Sequence, residues 1–313
     1  MRPDSQEIVV LGGGPAGGTA ALFAARIGRQ VTVLAGPPGG SLITGAAEID
    51  NFPGLPHLSG PDFTANLLRQ GAEAGAQILP ATARSVEVEN RYKIVTDDAG
   101  RHWPARALIV AVGTSPLKPA IPGLDRFWGK GVSFCAWCDG GFFRGRRVAV
   151  YGGGNTAFTS ATILSRLAAE VHLLLPKRFG TAFHTLQREV AAAGNVRVRP
   201  GVRVLGVDGD GALRSLSLLV DQEPATLEVD GLFITLGQKP NTGFLQGRLD
   251  LSAGGFIRAD AAGRTDLPGL FAAGDVVDGA FRQLVVACGA GATAALSAEQ
   301  YLLQQWEPVL PRR

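Results

Sequence analysis

The chain has 313 residues, 46% hydrophobic and 18% charged, with a net charge of +3. That length accommodates two domains with cores of their own, and the composition is that of a folded globular chain. The charge is too small and too scattered for a nucleic-acid binder, and no apolar run approaches the roughly 18 residues of a membrane span. The glycine-broken N-terminus reads as a first strand and not as a signal peptide, so a cytoplasmic protein with no nucleic-acid or membrane partner is expected. The basic end Pro311–Arg313 is only a slight pointer to an acidic partner. Three cysteines are too few for a disulfide framework. Zinc needs about four nitrogen or sulfur ligands, whereas Cys288 stands alone and His57, His102, His172 and His184 show no paired spacing. No metal is expected.

In chain order, Ile8–Leu11 reads as a buried strand that turns through Gly12-x-Gly14-x-x-Gly17 into a helix running through Ala20–Ile27, and Val31–Leu34 is the next strand. Pro15 suits the first helical position, where its missing N–H costs nothing. The first glycine permits the turn, the second lets backbone approach a pyrophosphate and the third lets helix pack on strand, while the helix N-terminus attracts negative charge. The stretch 107–116, ALIVAVGTSP, is a buried strand ending in a glycine turn at Gly113. Cys135 and Cys138 then stand two residues apart, with Asp139 next; this acid is either a turn residue before Gly140-Gly141 or an acid/base for thiol chemistry. The opening pattern returns as the strand Val148–Tyr151, the turn Gly152-x-Gly154-x-x-Ala157, a helix and the strand Val171–Leu175. Another buried strand, in GLFITLGQKPN at 231–241, ends in a glycine turn, and the strand Leu270–Ala273 delivers Asp275 either to a ribityl or ribose hydroxyl or to a helix N-cap.

Together these residues resemble the low-molecular-weight thioredoxin reductases. The resemblance rests on GGGPAG at 12–17, EIDNFPG at 48–54, VGTSP at 112–116, CAWCDG at 135–140, GGGNTA at 152–157, GQKPNT at 237–242 and FAAGDV with Arg282 and Gln283 after 271. It implies an α/β fold of two Rossmann-like FAD/NAD(P)-binding domains, the second inserted into the first. The FAD domain would be split over 1–117 and 246–313, with 118–245 inserted and hinges near KPAIPG and GQKPNTG. FAD pyrophosphate would lie on Gly12, Gly14, Pro15, Ala16 and Gly17, with Gly113 and Asp275 also contacting the cofactor. Asn51, Arg282 and Gln283 would lie at the flavin. Cys138 resembles the flavin-proximal thiol, Cys135 the exposed thiol that attacks the partner disulfide, and Asp139 the acid/base. A homodimer that reduces a thioredoxin-like protein is implied.

Three departures from the family pattern stand out. After Val31–Leu34 come Ala35 and Gly36, where many Rossmann sites carry an acid for the ribose, so adenosine must be held largely by backbone. Trp137 stands between the thiols, where relatives have a small or β-branched residue; it either covers the dithiol or shapes which partner docks. In NADPH-dependent members a His-Arg-Arg run and a further Arg grip the 2′-phosphate, but the matching positions here hold Leu175, Pro176, Lys177 and Thr181. Lys177 and Arg178 keep some positive charge beside the second turn (Gly152, Gly154, Asn155, Thr156), and Phe158 stands near the expected nicotinamide path. The lost charged hydrogen bonds, about 1.5–3 kcal/mol each, argue against tight NADPH binding.

This pattern resembles the NADPH-independent branch, in which ferredoxin supplies single electrons or a second FAD occupies the vacated site. Trp306 is a candidate for stacking on a flavin, or for a helix end packed on a dimer partner. Alternatives are an NADPH enzyme with a rewritten clamp and a non-enzymatic flavin redox sensor. A ferredoxin–NADP reductase of the same fold is disfavoured, since it needs NADP and no Cys-x-x-Cys.

Overall fold

The computed structural model describes residues 5–36, 42–45, 49, 51–55 and 57–306. Glu48 and Asp50 of the EIDNFPG motif, and the basic end at 311–313, lie outside the described residues. The chain forms two compact units, one built from Met1–Ser115 with Lys239–Arg313 and the other from Pro116–Gln238.

The first unit begins with strand β1 (Gln6–Leu11), helix α1 (Pro15–Arg26) and strand β2 (Val31–Leu34). Helix α2 (Gly60–Glu73) follows, started by Ser59, whose hydroxyl accepts from the Asp62 N–H. Then come β3 (Gln77–Leu79), β4 (Ala83–Glu89), β5 (Tyr92–Asp97), β6 (His102–Val110) and β7 (Thr114–Pro116). The inserted unit holds β8 (Val132–Ser133), the single turn α3 (Ala136–Asp139), β9 (Arg147–Tyr151), α4 (Asn155–Ser165), β10 (Glu170–Leu174), α5 (His184–Ala192) and β11 (Val196–Arg199). It is completed by β12 (Val202–Asp208), β13 (Ser215–Val220), β14 (Glu223–Glu228) and β15 (Gly231–Ile234). The chain returns through β16 (Gln238–Pro240), which pairs with β7, and closes with β17 (Leu270–Ala272) and α6 (Leu284–Gln305).

In the first unit, β1 lies parallel between β2 and β6. The far edge of β6 is shared: its start pairs antiparallel with β5 and its end parallel with β17. Alternation along β1 splits its side chains, Ile8 and Val10 entering the core against α1 and α6, Val9 and Leu11 entering a second core with Leu245, Ile257 and Val276. Burial on both faces explains why this strand reads as continuously apolar. The inserted unit repeats the plan with the parallel order β11-β10-β9-β15-β8. One face packs on α4 and α5 through Val148, Val150 and Leu173, the other on the antiparallel β12-β13-β14 through Ala149, Tyr151 and Leu232. The expected α/β fold is the observed one. Segment 239–245, expected in the inserted domain, groups with the first unit: Asn241 donates to the Val112 carbonyl and its N–H to that of Gly113, and Leu245 is fully buried in the core with Val9. No helix among the described residues is long and apolar enough to cross a membrane.

One buried charge in the first unit costs stability. Lys93, on β5, is 2% exposed; its Nζ lies 3.4 Å from the Arg91 carbonyl oxygen and 3.5 Å from Tyr301 Oη. Burial first, and the Arg91 charge second, lower its pKa from 10.5 to about 8. Between those two values the unfolded chain binds more protons than the folded one, so this residue makes stability rise with pH across that window. Lys93→Met is therefore expected to stabilise the protein at pH 7 by on the order of 2 kcal/mol, once lost amine contacts are offset against removed desolvation. Thermal melts of both proteins at pH 7 and pH 9.5 check this, because the gain must shrink at the higher pH.

Candidate active site

The cysteines lie where β8 ends and α3 begins. They form a disulfide with a Cα–Cα distance of 5.3 Å. Cys135 is the N-cap of α3, and its Sγ accepts the Cys138 N–H at 3.1 Å. The turn is anchored by Ser133, the last residue of β8. Its hydroxyl accepts the Cys135 N–H at 2.9 Å and donates to Asp139 Oδ2 at 2.5 Å. Ser133 was not among the expected site residues; a serine two positions before a Cys-x-x-Cys at a strand end is the signal that identifies it. Asp139 thus sits in the same hydrogen-bonded turn as both cysteines. Cys135 is half-buried and Cys138 exposed.

The first glycine turn is sterically determined. A Cβ on Gly12, whose φ is +106°, would overlap the Ala111 carbonyl oxygen, and one on Gly17 would overlap that of Gly12. Pro15 is the first residue of α1, and Gly14, its N-cap, supplies no side-chain hydrogen bond to the first-turn N–H groups. Ala35 packs against Gly13 with no acid in place, and its N–H goes to the Leu79 carbonyl. Gly113 takes a φ of +60°. Asp275 lies in a short 3-10 turn after β17 whose N-cap is Ala273; burial raises its carboxyl pKa, opposed by the Arg282 guanidinium. Arg282 stands 4.9 Å from the centre of the Phe256 ring, a neighbour the sequence did not suggest. Asn51 Nδ2 donates to Gln283 Oε1 at 3.2 Å, so two expected flavin residues 232 positions apart meet. Backbone donors at a helix N-terminus, a half-buried carboxyl and a nearby guanidinium fit a pyrophosphate-bearing dinucleotide.

The second turn is built alike, with Gly152 close against Thr235 and Ala157 fully buried. The segment 180–183 is fastened to it: the Thr181 N–H donates to the Gly153 carbonyl at 2.7 Å, and Asn155 Oδ1 accepts the Phe183 N–H at 2.8 Å. Thr156 is exposed at the start of α4. Leu175 is 3% exposed and belongs to the core, whereas Lys177 and Arg178 are exposed and make no ion pair with another described residue. Phe158 does not line a nicotinamide path; it is 4% exposed, and its ring is held 2.7 Å from where a Cβ on Gly180 would stand. Trp306 is the residue at the C-terminal end of α6. Its ring lies 4.9 Å from Tyr92, and the Arg91 guanidinium lies 4.3 Å from its centre. No group of three or more histidine, cysteine, aspartate or glutamate side chains among the described residues could hold a metal.

Two glycine-turn α/β units and a disulfide in a serine-anchored turn define a nucleotide-dependent disulfide oxidoreductase fold. The family model of the pyridine nucleotide-disulphide oxidoreductases matches residues 6–291, and the chain belongs to that family. Thioredoxin reductase of Streptomyces coelicolor is 38% identical over 305 residues, covering 96% of this chain and 94% of its own. NADPH-dependent thioredoxin reductase 3 of Arabidopsis thaliana is 35% identical over 311 residues, 95% of this chain and 58% of its own. The crystal structure of Lactococcus lactis thioredoxin reductase superposes with a TM-score of 0.91 at 28% identity, covering 96% of this chain and all of that one. The chain is a thioredoxin-reductase-like flavoprotein disulfide oxidoreductase, and its family implies FAD.

Proposed function

We propose that this enzyme reduces a thioredoxin-like protein through Cys135 and Cys138, and that its electron donor is a ferredoxin-type protein instead of NADPH. The observation that carries the disulfide chemistry is the serine-anchored turn, which holds both sulfurs and Asp139 together. FAD, when bound, supplies the two electrons that open the disulfide. Gly12, Gly14, Pro15, Ala16, Gly17, Gly113 and Asp275 are the residues proposed to hold it, with Asn51, Arg282 and Gln283 at its ring. In the resulting dithiol, the N–H of Cys138 stabilises the Cys135 thiolate. That thiolate attacks the acceptor disulfide, forming a mixed disulfide and releasing one acceptor thiolate, which takes a proton. Cys138, deprotonated with Asp139 as the nearby base, attacks Cys135 Sγ, which re-forms the intramolecular disulfide and releases the second acceptor thiolate. Two electrons and two protons pass to the acceptor.

The donor assignment is supported by the second turn. Its neighbours at 175, 176 and 181 are Leu, Pro and Thr, and Thr181 spends its N–H on Gly153. A second reading, an NADPH enzyme clamping the 2′-phosphate with Lys177 and Arg178, is favoured by the exposure of both cations and by the NADPH-dependent relative. A second FAD on Gly152, Gly154, Asn155 and Thr156 is the remaining alternative. A homodimer belongs to the same proposal, with the exposed Val285, Leu296 and Leu303 of α6 available to it.

Anaerobic titration of the FAD-loaded enzyme separates the donors. Reduced ferredoxin is expected to bleach the flavin absorbance, and stoichiometric NADPH is expected to leave it intact over the same time. Rapid bleaching by NADPH would overturn the donor assignment in favour of the Lys177–Arg178 clamp. Multiple turnovers with oxidised thioredoxin would exclude a purely sensory role.

A further inference from the structure

Trp137 lies between the two cysteines on α3, a turn fixed on both sides. Ala136 is 5% exposed, Gly140 is buried against Leu164 and Leu167, and Asp139 is held by Ser133. The indole is the large side chain this turn sends outward, at 48% exposure. It takes part in none of the ring-stacking or cation–π pairs among the described residues. Exchange needs an acceptor sulfur within about 2 Å of the attacking sulfur in the mixed disulfide. Trp137 is adjacent to Cys138 and two residues from Cys135, at most ~7.6 Å away between Cα atoms. Whichever thiol attacks, the surface that carries the acceptor disulfide comes within reach of the exposed indole.

Building on the reading that the pair reduces a protein disulfide, we infer that Trp137 is the acceptor-selecting contact. It favours a protein disulfide rimmed by apolar surface over a small hydrophilic disulfide. Indole is suited to this role: a large rigid apolar face, few rotatable bonds, and a frequent place among the residues that dominate interface affinity.

The test uses dithionite-reduced, FAD-loaded enzyme, freed of excess reductant, in single turnovers against oxidised thioredoxin and against hydroxyethyl disulfide. Trp137→Ala is expected to raise the half-saturating thioredoxin concentration by about 10–100-fold, with the limiting rate within about threefold of wild type. Its rate with hydroxyethyl disulfide should not change, and Trp137→Phe should restore most of the thioredoxin affinity. Equal effects on both disulfides would mean that Trp137 shields the dithiol, and no effect on either would make it inert; both outcomes overturn the inference. A wild-type enzyme that reduces hydroxyethyl disulfide but not oxidised thioredoxin overturns the parent reading, and this one with it.

Discussion

Cys135→Ser is expected to abolish reduction of a disulfide protein, by more than about 10³-fold, while the purified enzyme still carries FAD. A serine hydroxyl can neither close the disulfide nor attack sulfur at neutral pH. The companion variant separates the two sulfurs. With Cys138→Ser, Cys135 attacks an acceptor disulfide and stalls, because no second thiol remains to resolve the bond. A mixed disulfide with oxidised thioredoxin should therefore accumulate in Cys138→Ser and not in Cys135→Ser, read by non-reducing electrophoresis and intact mass. The outcome is informative because two structural facts pull apart. The hydrogen bond from the Cys138 N–H favours a thiolate on Cys135, yet Cys138 is the more exposed residue in the disulfide form. Trapping by Cys135→Ser instead would assign the attack to Cys138.

The second large effect is expected at the first glycine turn. Gly17→Ala would drive a Cβ into the Gly12 carbonyl oxygen, which is backbone and cannot rotate away. Helix α1 would have to lift from the turn, although it is packed on α6, where Gly291 in turn lies against the Ala16 carbonyl. Overpacking of this kind costs about 1–3 kcal/mol or more, so a Tm lower by on the order of 5–10 °C and a preparation depleted of FAD are expected. Gly71→Ala is the control. Gly71 is also a buried helical glycine, but a Cβ there meets Ala21 at an ordinary 3.8 Å. That change should stabilise by roughly 0.5–1 kcal/mol, through helix propensity alone. Similar melting temperatures and flavin contents for the two variants would show that the steric account of the turn is wrong.

The amino-acid sequence by itself determined the elements whose physics is local. An apolar run, a glycine that must take a positive φ or admit a neighbouring carbonyl, and a small-residue helix after it specify a strand–turn–helix unit without reference to the rest of the chain. This pattern occurs twice, which is why the parallel strand–turn–helix–strand core of each unit was legible, with the ends of those four strands displaced by at most two residues. The Cys-x-x-Cys pair was legible for the same reason, since a separation of three residues already brings the sulfurs within bonding range.

What only the tertiary structure decided depends on groups far apart in sequence or on the side of an element that packs. Asn51 meets Gln283, and Arg282 covers Phe256, through chain closures that no local pattern encodes. Phe158 lies on the core side of α4, beneath Gly180, although its position along the chain suggested a cleft. The neighbours of Trp306, Tyr92 and Arg91, are likewise set by where the end of α6 docks and not by the indole's aromatic character. Residue type limits which chemistry a side chain can perform; burial and long-range packing select the neighbour with which it performs it.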